Sequence, residues 1–213
     1  MRTGKKALVV GLTGAIGAGK TTVAGLLREK GIPIIDADAL GRELIESSRP
    51  FQAELAAAFG PSILTPDGAV DRQALARAAF ASKEAAARLN ALIHPPLWDR
   101  IKGEIAAQKG ADIIVIDAAL IVEWNRALPV DVVVVVDAPE GVRKARSRRK
   151  YDENDFDARQ ARQVDAAGKR AEADIIVDNA GSREELRDKV DLLYRTLVEK
   201  ARGENLRVEP LII

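Results

Sequence analysis

The sequence predicts an α/β fold, in which helices flank a parallel β-sheet and a further run of helices is inserted between its strands. Two observations support this prediction. Short apolar segments alternate with helical segments near both ends of the chain, which is the pattern of βαβ units. Between about residues 38 and 109 the chain is instead rich in Ala, Leu, Glu, Arg and Lys and is predicted to be almost wholly helical.

The first elements form one βαβ unit. Residues 7–13 are a short apolar run, typical of a buried parallel strand. Residues 20–30 carry apolar side chains at helical spacing and end at Gly31. Residues 32–35 are a second short strand, so strand, helix and strand follow one another as a parallel sheet requires.

Turn signals divide the helical insertion into separate helices. Proline and glycine punctuate it, and the predicted helices are 38–47, 50–58, 71–80, 83–92 and 96–109. Pro95 and Pro96 follow His94, and we expect them to break the helix there. His94 itself is typical of a structural hydrogen-bonding group at a helix end.

The remaining strands are continuous apolar runs, as expected for central strands that are covered on both faces. They are predicted at Asp112–Asp117, Val130–Asp137 and Ile175–Val177, with helices at 139–149, 155–172 and 182–202. The apolar tail, 206–213, is compatible with an edge strand or with the docking of a partner.

The composition limits the classes of function. The formal net charge of +1 gives no reason to expect nucleic acid or a membrane as a partner. The absence of cysteine excludes disulfides, zinc–thiolate sites and thiol nucleophiles, and the single histidine excludes a multi-histidine metal site. No stretch reaches the ~18 apolar residues of a membrane span. A cytoplasmic protein is expected, and its oligomeric state is left open.

The segment Gly14–Thr21, GAIGAGKT, fits the P-loop pattern GxxxxGK[ST] between a buried strand and a helix. Its glycines allow backbone N–H groups to converge on phosphate oxygens at a helix N-terminus. Lys20 can reach the β- and γ-phosphates of ATP, and the Thr21 hydroxyl can ligate Mg²⁺. The predicted nucleotide-binding residues here are Gly14, Gly17, Ala18, Gly19, Lys20, Thr21 and Thr22. These features specify a sheet of the P-loop NTPase type.

Carboxylates follow three of the predicted strands. Asp36 and Asp38 come after the second strand, where one could accept a proton from an acceptor hydroxyl or hold Mg²⁺ through water, while the other caps a helix. Asp117 ends the strand IIVID, which is the pattern of a carboxylate beside Mg²⁺. Asp137 ends the next predicted strand and is a second candidate for a carboxylate beside Mg²⁺.

The run Arg143–Lys150 concentrates positive charge at a helix end, and acidic residues follow it. It could be a solvated helix face, a lid whose arginines close over the triphosphate, or an RNA-binding patch. The interleaved acidic residues and the few aromatic residues count against the RNA interpretation.

Taken together, these segments resemble the dephospho-CoA kinase family. The resemblance spans about residues 7 to 200 and rests on GLTGAIGAGKTTVA, IIDADALGREL, LNALIHPPL, VDAPE followed by Arg146, and AEADIIVDNAG. It implies transfer of the ATP γ-phosphoryl group to the ribose 3′-hydroxyl of dephospho-CoA. By the same resemblance, Asp38 is the base or orienting carboxylate, Arg146 a lid arginine on the phosphates, and Asn179 a neighbour of the adenine.

The resemblance also implies the domain organisation: one P-loop kinase domain with an acceptor-binding helical insertion and a lid. The core is expected at about 5–37, 110–140 and 173–205, the insertion at about 38–109 and the lid at about 141–172.

Two positions depart from the family pattern. Ala118–Glu123 stands where the family usually has a Pro-Leu-Leu run before an acidic residue, which makes this loop less rigid. Lys150, with Arg149 adjacent, stands where a second lid arginine is usual; lysine keeps the charge but not the bidentate fork.

Two other functions are compatible with the P-loop. One is a kinase for a nucleoside monophosphate or another small metabolite, since the lid arginines suit it equally well. The other is a nucleotide-dependent switch module without an acceptor, although the chain lacks the Asn-Lys-x-Asp string with which a GTPase reads guanine.

Overall fold

The computed structural model describes residues 6–122, 124, 128–148, 166–204 and 210–213. These divide into two compact units. The first unit combines the residues up to Asp36 with those from Ile105 onward, and the second runs from Ala37 to Glu104.

The first unit is built on a six-stranded sheet in which every neighbouring pair is parallel. The strands are β1 (Leu8–Gly14), β2 (Ile34–Asp36), β3 (Ile113–Asp117), β4 (Val132–Asp137), β5 (Ile175–Asp178) and β6 (Leu211–Ile212). The spatial order β2-β3-β1-β4-β5-β6 confirms the predicted parallel sheet flanked by helices.

Helices occur in both units. They are α1 (Lys20–Glu29), α2 (Ala37–Ser47), α3 (Arg49–Phe59), α4 (Arg72–Ala79), α5 (Lys83–Ala107), α6 (Glu140–Ser147), α7 (Ala166–Ala171) and α8 (Arg183–Arg202), with a 3₁₀ turn at Pro61–Ile63. The predicted helix at 155–172 is described only from residue 166 onward, where it includes α7.

The core of the first unit lies between the sheet and the helices α1 and α8. Every residue of β3 is buried, as its uninterrupted apolar sequence predicts for a central parallel strand. The largest cluster joins strand residues such as Leu12 and Val134 to Leu27 of α1 and to Leu193 and Leu197 of α8. Ser182 and Glu185 form a capping box that fixes the start of α8.

The order of the strands reverses about β1. The chain leaves β1 for the edge position β2, returns through β3, and then crosses to β4 on the other side of β1. Such a reversal creates a crevice at the carboxyl ends of the strands, where ligands of open parallel sheets bind. The register aligns Asp117 with both Leu12 and Asp36, so β2 and β3 end together at that edge and β1 continues to Gly14.

The tail contributes an edge strand. Leu211 and Ile212 pair in parallel with Ile175 and Ile176 of β5. The backbone N–H of Ile213 donates to Ile176 at 2.9 Å, and Ile213 itself is buried. Of the two alternatives that the sequence left open, the structure therefore shows the edge strand.

The second unit is entirely helical apart from an isolated antiparallel bridge between Leu64 and Val70. Helices α3 and α4 begin where side chains satisfy backbone N–H groups. The Ser48 hydroxyl accepts from Phe51 at 3.3 Å, and the Asp71 carboxylate accepts from the backbone of α4 at 2.8 and 3.1 Å.

The predicted break at His94-Pro95-Pro96 is wrong. Helix α5 continues through both prolines from Lys83 to Ala107. The two prolines lack the N–H groups that would bond to the carbonyls of Ala91 and Leu92, so that turn has two fewer hydrogen bonds. Strong helix formers on both sides, and the burial of Leu97 and Ile101 beyond the prolines, hold the helix together despite this loss.

Candidate active site

The P-loop depends on glycine at two positions with left-handed backbone angles. Gly17 has φ of 79° and Gly19 has φ of 101°. At Gly17 a Cβ atom would also overlap the carbonyl oxygen of Arg143 and lie 2.5 Å from the Ser147 hydroxyl oxygen, both on α6. The loop is therefore packed directly against α6 and cannot accept a side chain there.

Lys20 and Asp117 form an ion pair beside the P-loop. Lys20 is the first residue of α1, and Asp117 is the last residue of β3. Their side chains are only 16% and 12% exposed, so the two charges neutralise each other in a largely water-excluded position. The structure thus brings together the phosphate-binding lysine and the strand-end carboxylate that the sequence predicts separately.

Thr21 and Thr22 are exposed in the first turn of α1. A threonine hydroxyl and a carboxylate such as Asp117 are the hard oxygen ligands that Mg²⁺ uses together with phosphate oxygens and water. Such a site needs only one or two carboxylates, and within the described ranges no group of three metal-ligating side chains occurs. The donor chemistry of Thr21 and Asp117 therefore fits Mg²⁺.

Asn179 lies against the P-loop. It follows β5, it is 5% exposed, and its side-chain amide donates to the carbonyl oxygen of Ala18 at 2.7 Å. Its backbone N–H donates to the carbonyl of Asp137 at 2.7 Å. A Cβ on Gly19 would overlap the Asn179 amide nitrogen, so the asparagine side chain packs closely against this glycine.

Arg146 lies on the exposed face of α6 and contacts the same segment. Its guanidinium donates to the carbonyl of Asn179 at 2.9 Å and to that of Gly181 at 3.4 Å. The structure therefore places the predicted lid arginine at the chain that follows β5. The neighbouring positions Arg149 and Lys150, and the greater part of the predicted lid, lie outside the described residues.

The two aspartates after β2 fall in different units. Asp36 ends β2 in register with Asp117, at the carboxyl edge of the sheet. Asp38 lies in the first turn of α2 in the second unit, with an exposed side chain. Asp36 and Asp117 are thus aligned by the sheet, whereas Asp38 is positioned by a helix.

Lys169 is a buried residue that the sequence did not indicate. It has no exposed surface, and its ammonium donates to the carbonyl of Ala119 at 2.6 Å and contacts the Thr13 hydroxyl oxygen at 3.4 Å. Thr13 donates to the same carbonyl at 3.1 Å. Lys169 therefore ties α7 to the ends of β1 and β3. In a charged helical segment a lysine is expected to face water, and no pattern in the sequence reveals this burial.

The next residue, Arg170, also links α7 to the sheet. Its guanidinium pairs with the Asp137 carboxylate at 2.6 Å, at the end of β4. Asp137, which the sequence made a second candidate for the site beside Mg²⁺, is thus engaged in a link between α7 and the sheet.

In the second unit, His94 stacks on Trp98 with their ring centroids 5.2 Å apart. Partial burial lowers the pKa of His94 below its usual value, because desolvation disfavours the imidazolium. The histidine is therefore held mainly neutral near pH 7.

Among the described residues, none of the helices is both long and apolar enough to span a bilayer.

Comparisons with known proteins bear on the identity of this site. A family model described as dephospho-CoA kinase matches residues 8–185. The dephospho-CoA kinase of Thermobifida fusca is 43% identical over 192 residues, which cover 89% of this chain and 96% of the relative. That of Anaeromyxobacter dehalogenans is 41% identical over 206 residues, covering 95% and 97%.

Solved structures agree on the fold. A crystal structure of a Thermus thermophilus protein superposes with a TM-score of 0.77 at 30% identity, covering 92% of this chain and 98% of that one. A dephospho-CoA kinase from Campylobacter jejuni has a TM-score of 0.66 at 21% identity, with the same coverage, and shares the fold. The family model matches most of the chain, and the relatives match it along nearly their whole length. This chain therefore belongs to the dephospho-CoA kinase family.

Proposed function

We propose that this chain transfers the γ-phosphoryl group of ATP to the ribose 3′-hydroxyl of dephospho-CoA, giving CoA and ADP. The observation that carries the proposal is the Lys20–Asp117 pair beside a P-loop, in a chain that the family model matches over residues 8–185. The pair supplies the chemistry for the phosphoryl donor, and the family supplies the acceptor.

ATP, the phosphoryl donor, is held by charged side chains and by backbone N–H groups. Gly14, Gly17, Gly19 and Thr21 offer N–H groups to the phosphates at the start of α1. Ala18 and Thr22 lie beside them, and their N–H groups bond to the carbonyls of Ala15 and Gly19. Lys20 exchanges its partner Asp117 for β- and γ-phosphate oxygens, which gives the developing charge of the transferred group a positive neighbour. Arg146 adds a second cation when the lid closes.

The acceptor step is an in-line displacement. The 3′-oxygen bonds to the γ-phosphorus while the bond from that phosphorus to the β–γ bridging oxygen breaks, and the electron pair leaves with ADP. The hydroxyl proton passes to the carboxylate of Asp38, which also orients the hydroxyl. Because this reaction involves little covalent chemistry for the protein, positioning and charge neutralisation account for most of the rate.

The Thr21 hydroxyl and the Asp117 carboxylate are the residues that would hold Mg²⁺. When bound, this ion would neutralise part of the negative charge of the triphosphate. Asn179 would lie on the nucleotide side of the site.

The same proposal covers the organisation of the chain. It is one P-loop kinase domain, in which the helical insertion binds the acceptor and the segment at about 141–172 is the lid. Lid closure would keep water away from the γ-phosphate. We also propose that the protein is located in the cytoplasm.

An acceptor panel tests the proposed function. Purified protein is incubated with ATP, Mg²⁺ and dephospho-CoA, adenosine, a nucleoside monophosphate, shikimate or gluconate in turn, and the release of ADP is measured. We expect turnover with dephospho-CoA far above the rate without an acceptor. Turnover with another acceptor alone would identify a different small-molecule kinase. Slow hydrolysis that no acceptor accelerates would identify a switch module.

A further inference from the structure

We infer that Asn179 is a positioning residue that holds the P-loop in its phosphate-binding conformation. The inference starts from the hydrogen bond between the Asn179 side-chain amide and the carbonyl oxygen of Ala18, 2.7 Å long and buried. It deepens the proposed function, since it concerns the donor site on which that function rests. It also differs from the resemblance, which puts Asn179 beside the adenine.

Asn179 is well placed for this role because its own position is fixed independently of its side chain. Its backbone N–H bonds to the carbonyl of Asp137 at the end of β4. Its backbone carbonyl accepts from Arg146 on α6. The side-chain amide therefore projects from a rigid point on the sheet, and its contact with Ala18 joins segments that are 161 residues apart in sequence.

Holding the Ala18 carbonyl also sets the direction of the next backbone donor. In a planar trans peptide, the carbonyl of Ala18 and the N–H of Gly19 point in opposite directions. Fixing the carbonyl toward Asn179 thus turns the Gly19 N–H to the opposite side of the peptide plane. Backbone N–H groups of this loop are the ones that bind phosphate, so the side chain of Asn179 controls the orientation of one of them.

The conformation of Gly19 is an independent sign of the same fit. Gly19 has φ of 101°, which a residue with a side chain rarely adopts. A Cβ at this position would also overlap the Asn179 amide nitrogen. The asparagine thus occupies the space that the missing side chain leaves, and it locks the peptide between Ala18 and Gly19 from that side.

Binding of inorganic tripolyphosphate separates this role from an adenine contact. Tripolyphosphate carries the phosphates of ATP without adenine or ribose. Asn179→Leu keeps a side chain of similar size and removes the donor. Titration calorimetry with ATP and with tripolyphosphate, each with Mg²⁺, should show that the variant weakens both by a similar factor, roughly tenfold for a buried hydrogen bond.

Two controls accompany this measurement. Asn90→Leu makes the same chemical change on the exposed surface of α5 and should leave tripolyphosphate binding unchanged. Thermal unfolding establishes that Asn179→Leu is folded. If Asn179→Leu does not fold, ATP binding and tripolyphosphate binding are compared instead in Asn179→Ala, whose smaller side chain cannot clash with Gly19.

Two results would overturn the inference. One is a loss of ATP affinity with tripolyphosphate affinity unchanged, which would make Asn179 an adenine contact. The other is no change for either ligand. Failure of the proposed function looks different: the wild-type protein would bind tripolyphosphate and respond to Asn179→Leu as expected, yet would not phosphorylate dephospho-CoA.

Discussion

At the scale of single residues, the central feature is a lysine and an aspartate that neutralise each other where phosphates are expected to bind. Lys20 and Asp117 could both be predicted, because each occupies a defined place in a motif: one follows the P-loop glycines and the other ends an apolar strand. Lys169 could not be predicted. Its burial depends on Thr13 and Ala119, which lie far away in the sequence.

Replacing Asp117 tests its assignment to Mg²⁺. Asp117→Asn removes a charged oxygen ligand and the ion pair with Lys20, so we expect a higher Mg²⁺ concentration for half-maximal activity and a lower kcat. Asp137→Asn is the matched control, because Asp137 pairs with Arg170 and should leave the Mg²⁺ dependence unchanged. Activity measured against Mg²⁺ concentration decides between them, and a shift caused by Asp137→Asn alone would reverse the assignment.

Asp38 and Asp36 provide a second matched pair. A general base contributes about 10²–10⁴-fold to a rate, so Asp38→Asn should lower kcat by a factor in that range and leave the Kd for ATP nearly unchanged. Asp36→Asn should have the smaller effect on kcat. Steady-state kinetics together with ATP titration provides both quantities. A larger loss in the Asp36 variant would transfer the role of base to Asp36.

His94 predicts a pH dependence of stability. Burial lowers its pKa in the folded state, so the unfolded chain binds the proton more tightly. As the pH falls below the ordinary histidine value of about 6.5, the free energy of unfolding should therefore decrease. Urea unfolding of the wild type and of His94→Gln, at a series of pH values, isolates this contribution. A difference between the two proteins that does not vary with pH would contradict it.

At the scale of elements, the helix–strand pattern near both ends of the chain was predictable, and two features were not. Helix α5 continues through Pro95 and Pro96 because its packing outweighs a local break signal. Strand β6 consists of two residues, Leu211 and Ile212, and exists through its hydrogen bonds to β5. So short a segment has no periodicity of its own, and only the neighbouring strand determines its conformation.

Two prolines, one within α5 and one in a turn, yield predictions of opposite sign. Pro95 is exposed within the helix, and Pro95→Ala restores an N–H that can bond to the Ala91 carbonyl. We expect the free energy of unfolding to rise by about 1–3 kcal/mol. Pro66 instead lies in a turn closed by the Gly68 N–H and the Thr65 carbonyl at 2.8 Å.

For Pro66→Ala, a loss of about 0.4–1 kcal/mol is expected, because alanine frees the unfolded chain. Urea unfolding measures both changes. A loss of stability in Pro95→Ala would mean that the proline ring itself packs favourably in α5.

At the scale of the whole molecule, the parallel sheet followed from continuous apolar runs such as residues 113–116 and 132–136, which are typical of strands covered on both faces. The order of the strands about β1 did not follow from the sequence, since it depends on which strands pair. In the candidate site, too, some features follow from the sequence and others depend on the fold. Motifs predicted its residues, while the links of Asn179 to Ala18 and of Arg170 to Asp137 are set by the fold.

The choice of acceptor is the most direct test of the function as a whole. In a single-turnover competition, enzyme with γ-labelled ATP and Mg²⁺ meets dephospho-CoA and a nucleoside monophosphate at equal concentrations. The account predicts that the label appears on the ribose 3′-oxygen of CoA, with one ADP formed for each CoA. Label that appears instead in the nucleotide acceptor, or in inorganic phosphate while dephospho-CoA stays unchanged, would contradict it.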